Sequence, residues 1–258
     1  MIPIKPILWS LLFLLFTGGA NTSFASHILG GNLAWDCISS GADAGKYRFR
    51  LSVYWDCSST TVLDVNAQVL HAENHPDLGT IPLTLSGTND VSPTQCGSDC
   101  ASGQTGTFQE YLFESDPVTI DGVPPPEGFI FSYYSCCRGA VDNIIDAFND
   151  QLYFRGVMYP YEGKDLNPCY DSSPDFAVKA NNLLCSGYEF RYASTAQDSD
   201  LDSLSYAWSP TLGYDGSQAV PVNFQPNYSY SNPLPNPSIN ASYDQATLDP
   251  VSGLISYD

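Results

Sequence analysis

Tyr47-Arg-Phe-Arg-Leu-Ser-Val-Tyr-Trp55 sets Tyr47, Phe49, Leu51, Val53 and Trp55 on one side of an extended chain and Arg48, Arg50, Ser52 and Tyr54 on the other. Strict period-two alternation over this length predicts a strand with one buried and one wet face. Similar runs occur at Ile28–Asp36, Val65–Ala72, Thr80–Leu85, Thr107–Phe113, Phe129–Ser135 and Leu152–Met158, separated by turns rich in Gly, Asp, Ser and Pro such as Gly122-Val-Pro-Pro-Pro-Glu-Gly128. Helical periodicity is nearly absent, and a short helical turn is expected only at Asp142–Phe148. Many short strands at regular spacing predict an all-β fold of sandwich type.

Outward from this core the composition changes twice. Residues 1–25 carry Lys5, an apolar run Ile7–Phe16 and small residues at Ser23 and Ala25, the form of a secretory signal peptide. Its apolar run is about half of the ~20 residues that span a bilayer, and no later stretch is apolar enough, so no membrane-spanning segment is expected in the mature chain. At Glu162–Asp175 the sequence turns polar and reads as a linker. The reading is therefore of two consecutive β-sandwich-like domains, 26–161 and 176–258. In the second, Tyr188, Phe190 and Tyr192 alternate with polar residues, as do Leu204, Tyr206 and Trp208, before the Pro- and Asn-rich Pro221–Pro237. Only about five strands can be counted there, against about seven in an immunoglobulin-like sandwich. The second domain is accordingly expected to be immunoglobulin- or cadherin-like and incomplete at the C-terminus, as in an N-terminal piece of a longer protein.

The chain has 9 Lys and Arg against 28 Asp and Glu, a formal charge of −19, which disfavours nucleic acid as a partner. All eight cysteines (Cys37, Cys57, Cys96, Cys100, Cys136, Cys137, Cys169 and Cys185) follow the signal peptide, where disulfides persist. Cys96 and Cys100 have the one tight spacing, with no second pair to complete a metal site. If Ile28–Cys37 pairs antiparallel with Lys46–Cys57, Cys37 and Cys57 lie at opposite ends of the pair, beyond the ~4.4–6.8 Å that a bridge allows. Each then looks elsewhere, with Cys136-Cys137 the expected target for at least one. Cys169 and Cys185 flank the opening of the second domain and are expected to pair locally, closing a loop that contributes ~3 kcal/mol.

These residues resemble a known group. Ser26-His-Ile-Leu-Gly-Gly-Asn-Leu-Ala-Trp-Asp-Cys37 and Tyr47–Cys57 resemble the opening of large exported surface proteins of Bacteroidetes, which begin SHIxGGxxxYxC and continue YxxxLxVYRDC. The likeness continues through Pro124–Arg138 with its Cys-Cys-Arg, Asn167–Pro174, Asp198–Tyr206 and Leu248–Ser256. Trp55 stands where that group commonly has Arg, and Leu201 where it commonly has Gly. The resemblance implies a gliding-motility-associated or adhesin-like protein, carried to the cell surface by type IX secretion and built of repeated immunoglobulin- or cadherin-like domains.

Three candidate chemistries stand against that background. His71-Ala-Glu-Asn-His75 has two histidines four apart, but Glu73 is misplaced for a zinc protease motif, and in a strand the pair is ~13 Å apart. Carboxylate pairs are too numerous among 28 acids to mark a hydrolase. Asp198, Asp200 and Asp202 offer carboxylates at i, i+2 and i+4, which suits calcium if Glu189 or Asp175 adds oxygens. The bland alternative is a solvated acidic turn. The expectation is a non-enzymatic, structural or adhesive segment of a cell-surface protein. Its partners would be an extracellular protein, a polysaccharide or further domains of the same chain, and its one candidate cofactor is calcium. The competing class is a carbohydrate-binding module or hydrolase-associated domain, which exposed coplanar aromatics beside a groove would favour.

Overall fold

The computed structural model describes residues 28–59, 63–92, 99–104, 106–136, 138–139, 141–147, 150–161, 169–176 and 189–257. The chain is all-β. The strands begin with β1 (Ile28–Cys37), β2 (Tyr47–Asp56), β3 (Val69–Ala72), β4 (Thr80–Asp90) and β5 (Phe108–Ser115). They continue with β6 (Phe129–Ser135), β7 (Gln151–Met158), β8 (Asp175–Phe176), β9 (Phe190–Ala193) and β10 (Ala196–Gln197). The last are β11 (Leu212–Tyr214), β12 (Ala219–Pro221), β13 (Thr247–Leu248) and β14 (Leu254–Tyr257).

Nine strands join in the order β1-β2-β5-β4-β3-β6-β7-β11-β12. The sheet folds over at β4, which pairs with β3 through Thr80–Pro82 and with β5 from Leu83 to Asp90, with a register irregularity between Leu85 and Gly87. An irregularity of this kind raises local twist, which lets one strand serve two layers. One layer is then β1-β2-β5-β4 and the other β3-β6-β7-β11-β12, with the core between them.

In β2 the odd-numbered residues Tyr47 to Trp55 are all buried and the even-numbered ones are not, as the alternation predicts. Phe49 of β2 packs on Phe131 of β6 with ring centroids 4.7 Å apart, and Trp35 of β1 lies 5.8 Å from the same ring. Tilted pairs at such distances add to the area term. Two glycines let the layers meet at the open side. A Cβ on Gly156 of β7 would lie 2.7 Å from the Trp35 ring, and one on Gly31 of β1 would lie 2.5 Å from the Phe154 ring.

Several sequence expectations are corrected. The segment 142–147 forms turns around a bridge between Ile144 and Phe224, and the expected helical turn is reduced to 3-10 geometry at Ala147, with Phe148 outside the described residues. Leu204, Tyr206 and Trp208 do alternate with exposed neighbours, but they are half-buried and make no ladder. Residues 169–175, linker-like in composition, are seated against β1 by the contacts described below. The β11–β12 hairpin, from the C-terminal stretch, extends the large sheet through Gly213↔Leu152 and Tyr214↔Gln151. The rest of that stretch forms the ladder β10-β8 and the three-stranded sheet β13-β14-β9. Among the described residues no helix is long and apolar enough to cross a membrane.

Candidate functional site

The described cysteines join distant parts of the chain. Cys37, the last residue of β1, is bonded to Cys169 across a separation of 132 residues, with Cα atoms 5.0 Å apart. Cys57 is bonded to Cys100 across 43 residues at 5.3 Å. These pairs overturn the expected local partner for Cys169 and the expected use of Cys136-Cys137 by Cys37 or Cys57. Cys136 is itself disulfide-bonded; Cys96, Cys137 and Cys185 lie outside the described residues.

The reason is visible at the edge of β1. Past its ladder with β2, the Trp35 N–H donates to Ser173 Oγ at 2.8 Å, and Ser173 N–H donates back to the Trp35 carbonyl at 2.9 Å. The Cys37 N–H donates to Ser172 Oγ at 3.1 Å. Ser172 and Ser173 are buried although polar, because they complete a strand edge that would otherwise hold unpaired donors. Asp175 follows, with Arg50 Nη1 at 3.0 Å and Asn32 Nδ2 at 2.6 Å from its carboxylate. Arg50 also holds Asp36 through Nη2 at 3.0 Å; its Nε lies 2.9 Å from the same carboxylate but too far off axis for a hydrogen bond.

The acidic stretch belongs to this clamp. Asp198 Oδ1 accepts the N–H groups of Asp200 (2.9 Å) and Asp202 (3.2 Å), which closes the turn on itself. Leu201 at its tip has φ +62° and is 90% exposed, so a side chain stands where glycine costs least. Asp200 turns outward, and its Oδ2 accepts the Ser172 N–H at 2.6 Å. Asp198 and Asp200 thus each direct a carboxylate oxygen at backbone N–H groups, one within the turn and one on Ser172. Among the described residues no three His, Cys, Asp or Glu side chains gather into a metal-holding group. Glu189 instead pairs with Arg191, and Asp175 with Arg50.

The two described histidines also serve the fold. His75 is buried rather than on the surface: its Nδ1 accepts the N–H groups of Asp77 and Leu78, and Nε2 reaches the Asp121 carbonyl at 3.0 Å. His71 stacks on Tyr134 at 4.5 Å, and Tyr134 stacks in turn on Tyr214 at 3.9 Å. Glu73 accepts the hydroxyls of Ser132 (2.7 Å) and Tyr153. Burial, aided by the Glu73 carboxylate, pushes the Tyr153 hydroxyl up to about 12. Burial likewise lowers His71, against the opposing pull of Glu73. Tyr134, Tyr153 and Tyr214 are nearly parallel, but Tyr134 has His71 and Tyr214 stacked on it, and Tyr153 is buried.

Two clefts flank β1. One, of about 250 Å³, lies over the outer face of β2 and β5, lined by Arg50, Ser52, Glu110 and Glu114 and bounded by Phe176. Glu110 is buried there and accepts from Asn89 Nδ2 at 2.8 Å. The other, of about 360 Å³, lies between Leu29–Leu33 of β1, Leu152–Arg155 of β7 and Ser209–Leu212. At the far end of the sheet, hydrogen bonds from Ser92 and then from the Cys100 backbone hold Asp90 below the ordinary carboxylate range, beside the Cys57–Cys100 bond.

No family model, no curated protein and no solved structure matches this chain. The sequence alone could not place Ser172, Ser173 or Asp200 in one clamp, because hydroxyls and carboxylates that serve a distant strand edge look like any polar loop.

Proposed function

We propose that this chain is a non-enzymatic module of an exported cell-surface protein, with a structural or adhesive role. The observation that carries the reading is the Cys37–Cys169 bond, which rivets a segment 132 residues away onto the first strand. A cross-link of that span is kept in oxidising compartments outside the cytosol. The candidate chemical groups support it further, since Glu73, Glu110, Asp198 and Asp200 each accept hydrogen bonds that hold the fold together. The apolar, Lys-led N-terminus and the resemblance to exported surface proteins point the same way. The ring faces spent on stacking at Tyr134 and Tyr214 give the carbohydrate-binding alternative less to work with.

The test is to express the full chain with its own N-terminus in its natural host or a close relative. Intact cells are labelled with an impermeant amine reagent, and free thiols are counted in each fraction. The reading expects labelled, thiol-poor protein outside the inner membrane. Folded protein held in the cytosol with its thiols reduced would overturn it.

A further inference from the structure

Among the described residues the edge of β1 is met at both ends, and its middle has no backbone partner. Trp35 and Cys37 direct their backbone groups away from β2, as their bonds to Ser173 and Ser172 demonstrate. In an antiparallel ladder that outward direction recurs at every second residue, so Gly31 and Leu33 present N–H and C=O to the same side. Toward the start of the strand, the Ile28 carbonyl is taken by the Gly139 N–H at 3.2 Å. Gly31 and Leu33 have no such partner among the described residues. Beside them lies the 360 Å³ cleft.

The layer facing β1 is the longer one, because β11 and β12 extend it beyond β7. A strand added beside β1 would lie over that extension. The cleft's charge is also unlike the rest of the molecule. In a chain of formal charge −19 its described lining carries Arg138 and Arg155 and no acidic residue, while the Asp150 carboxylate acts on Arg138 from outside that lining. Arg138 donates through Nη2 to the Leu212 carbonyl at 2.9 Å, while its buried Nε has no acceptor among the described residues.

We propose that the Gly31–Leu33 edge takes an added β-strand from an extended, acidic peptide segment of a partner protein. Alternating backbone donors and acceptors are matched by another extended backbone, which sets the occupant as a peptide. The two arginines set its charge. The closed ends at Ile28 and Trp35 limit the slot to a short stretch, so affinity comes from few bonds and depends on the charged contacts. Fractionation reports where the chain resides, whereas peptide binding reports what the β1 edge accepts, so either can fail without the other.

The test uses the full chain with its disulfides intact and a fluorescent peptide of about eight residues alternating valine with aspartate. A peptide with lysine in place of aspartate is the control. Binding is followed by anisotropy, and amide exchange is read at Gly31 and Leu33. The expected result is binding of the acidic peptide about tenfold or more tighter than the basic one, with slowed exchange at both amides. Arg155→Glu, on an exposed side chain, should weaken binding about tenfold, and Leu33→Pro, which removes one edge N–H, should weaken it independently. Should Leu33→Pro fail to fold, Arg155→Glu and the exchange data still decide. Equal binding of the two peptides, protection confined to other strands, or binding of polygalacturonate without binding of the peptide would each overturn the proposal.

Discussion

Replacing Cys37 and Cys169 together by serine removes the longest described cross-link without leaving a lone thiol. In the chain-entropy model a closed loop of 132 residues is worth about 5 kcal/mol. The Cys57–Cys100 bond lies inside that loop and shortens it by 43 residues, leaving 132 − 43 = 89. Because the dependence is logarithmic, the contribution falls only to about 4.6 kcal/mol. A local Cys169–Cys185 pair would have been worth ~3 kcal/mol, so the two connectivities differ by a measurable amount. For a chain of this size the melting midpoint should fall by roughly 10–20 °C. Urea unfolding followed by tryptophan fluorescence, with Trp35 and Trp55 buried as reporters, gives the free energy directly. The slope against urea should rise as the unfolded chain expands. A loss below about 2 kcal/mol would refute the reasoning, because it would fall under even the short-loop value.

Other outcomes follow from single residues. Leu201→Gly should stabilise by about 1 kcal/mol, since it relieves a left-handed backbone at an exposed tip; a loss of stability on thermal melting would contradict that geometry. Asp200→Ala should cost about 1 kcal/mol by leaving the Ser172 N–H without its acceptor, and added calcium should not move the melting midpoint of the parent chain. An upward calcium shift that Asp200→Ala abolishes would instead support the ion-site reading. Phe131→Ala should cost about 3–5 kcal/mol, because the ring is fully buried between Phe49 and Trp35. The Tyr153 hydroxyl, raised to about 12 when folded, favours the fold below the ordinary tyrosine value of 10.0, and that contribution is lost as pH rises through about 12. Phenolate absorbance of the parent against Tyr153→Phe would locate that late titration. The sign is opposite for Asp90: its depressed pKa supports the fold above the ordinary aspartate range and is lost as pH falls through its folded value.

The strands were legible wherever one face meets the core and the other meets water. β2 and β6 fall at their expected positions, because apolar alternation is the cause of their burial. β4 runs on to Asp90, past the expected Leu85, because its second half pairs with β5 through Gly87, Asn89 and Asp90, none of which is a strand-forming residue. β3 starts late, at Val69, because Asp64 caps a turn by accepting the Asn66 N–H. The clamp was not legible at all. Ser172 and Ser173 are buried for their hydrogen bonds rather than their hydrophobicity, and a bond across 132 residues is decided by where strands lie in space. The acidic stretch was half legible: its turn was expected, but the turn's use as an acceptor for Ser172 depends on a neighbour 28 residues away.

Peptide mapping of the unreduced protein by mass spectrometry tests the central claim, that residues 169–175 are riveted to β1, most directly. The structure predicts a linked pair of peptides containing Cys37 and Cys169, which separates on reduction. A linked peptide joining Cys169 to Cys185, with Cys37 bonded elsewhere, would contradict it.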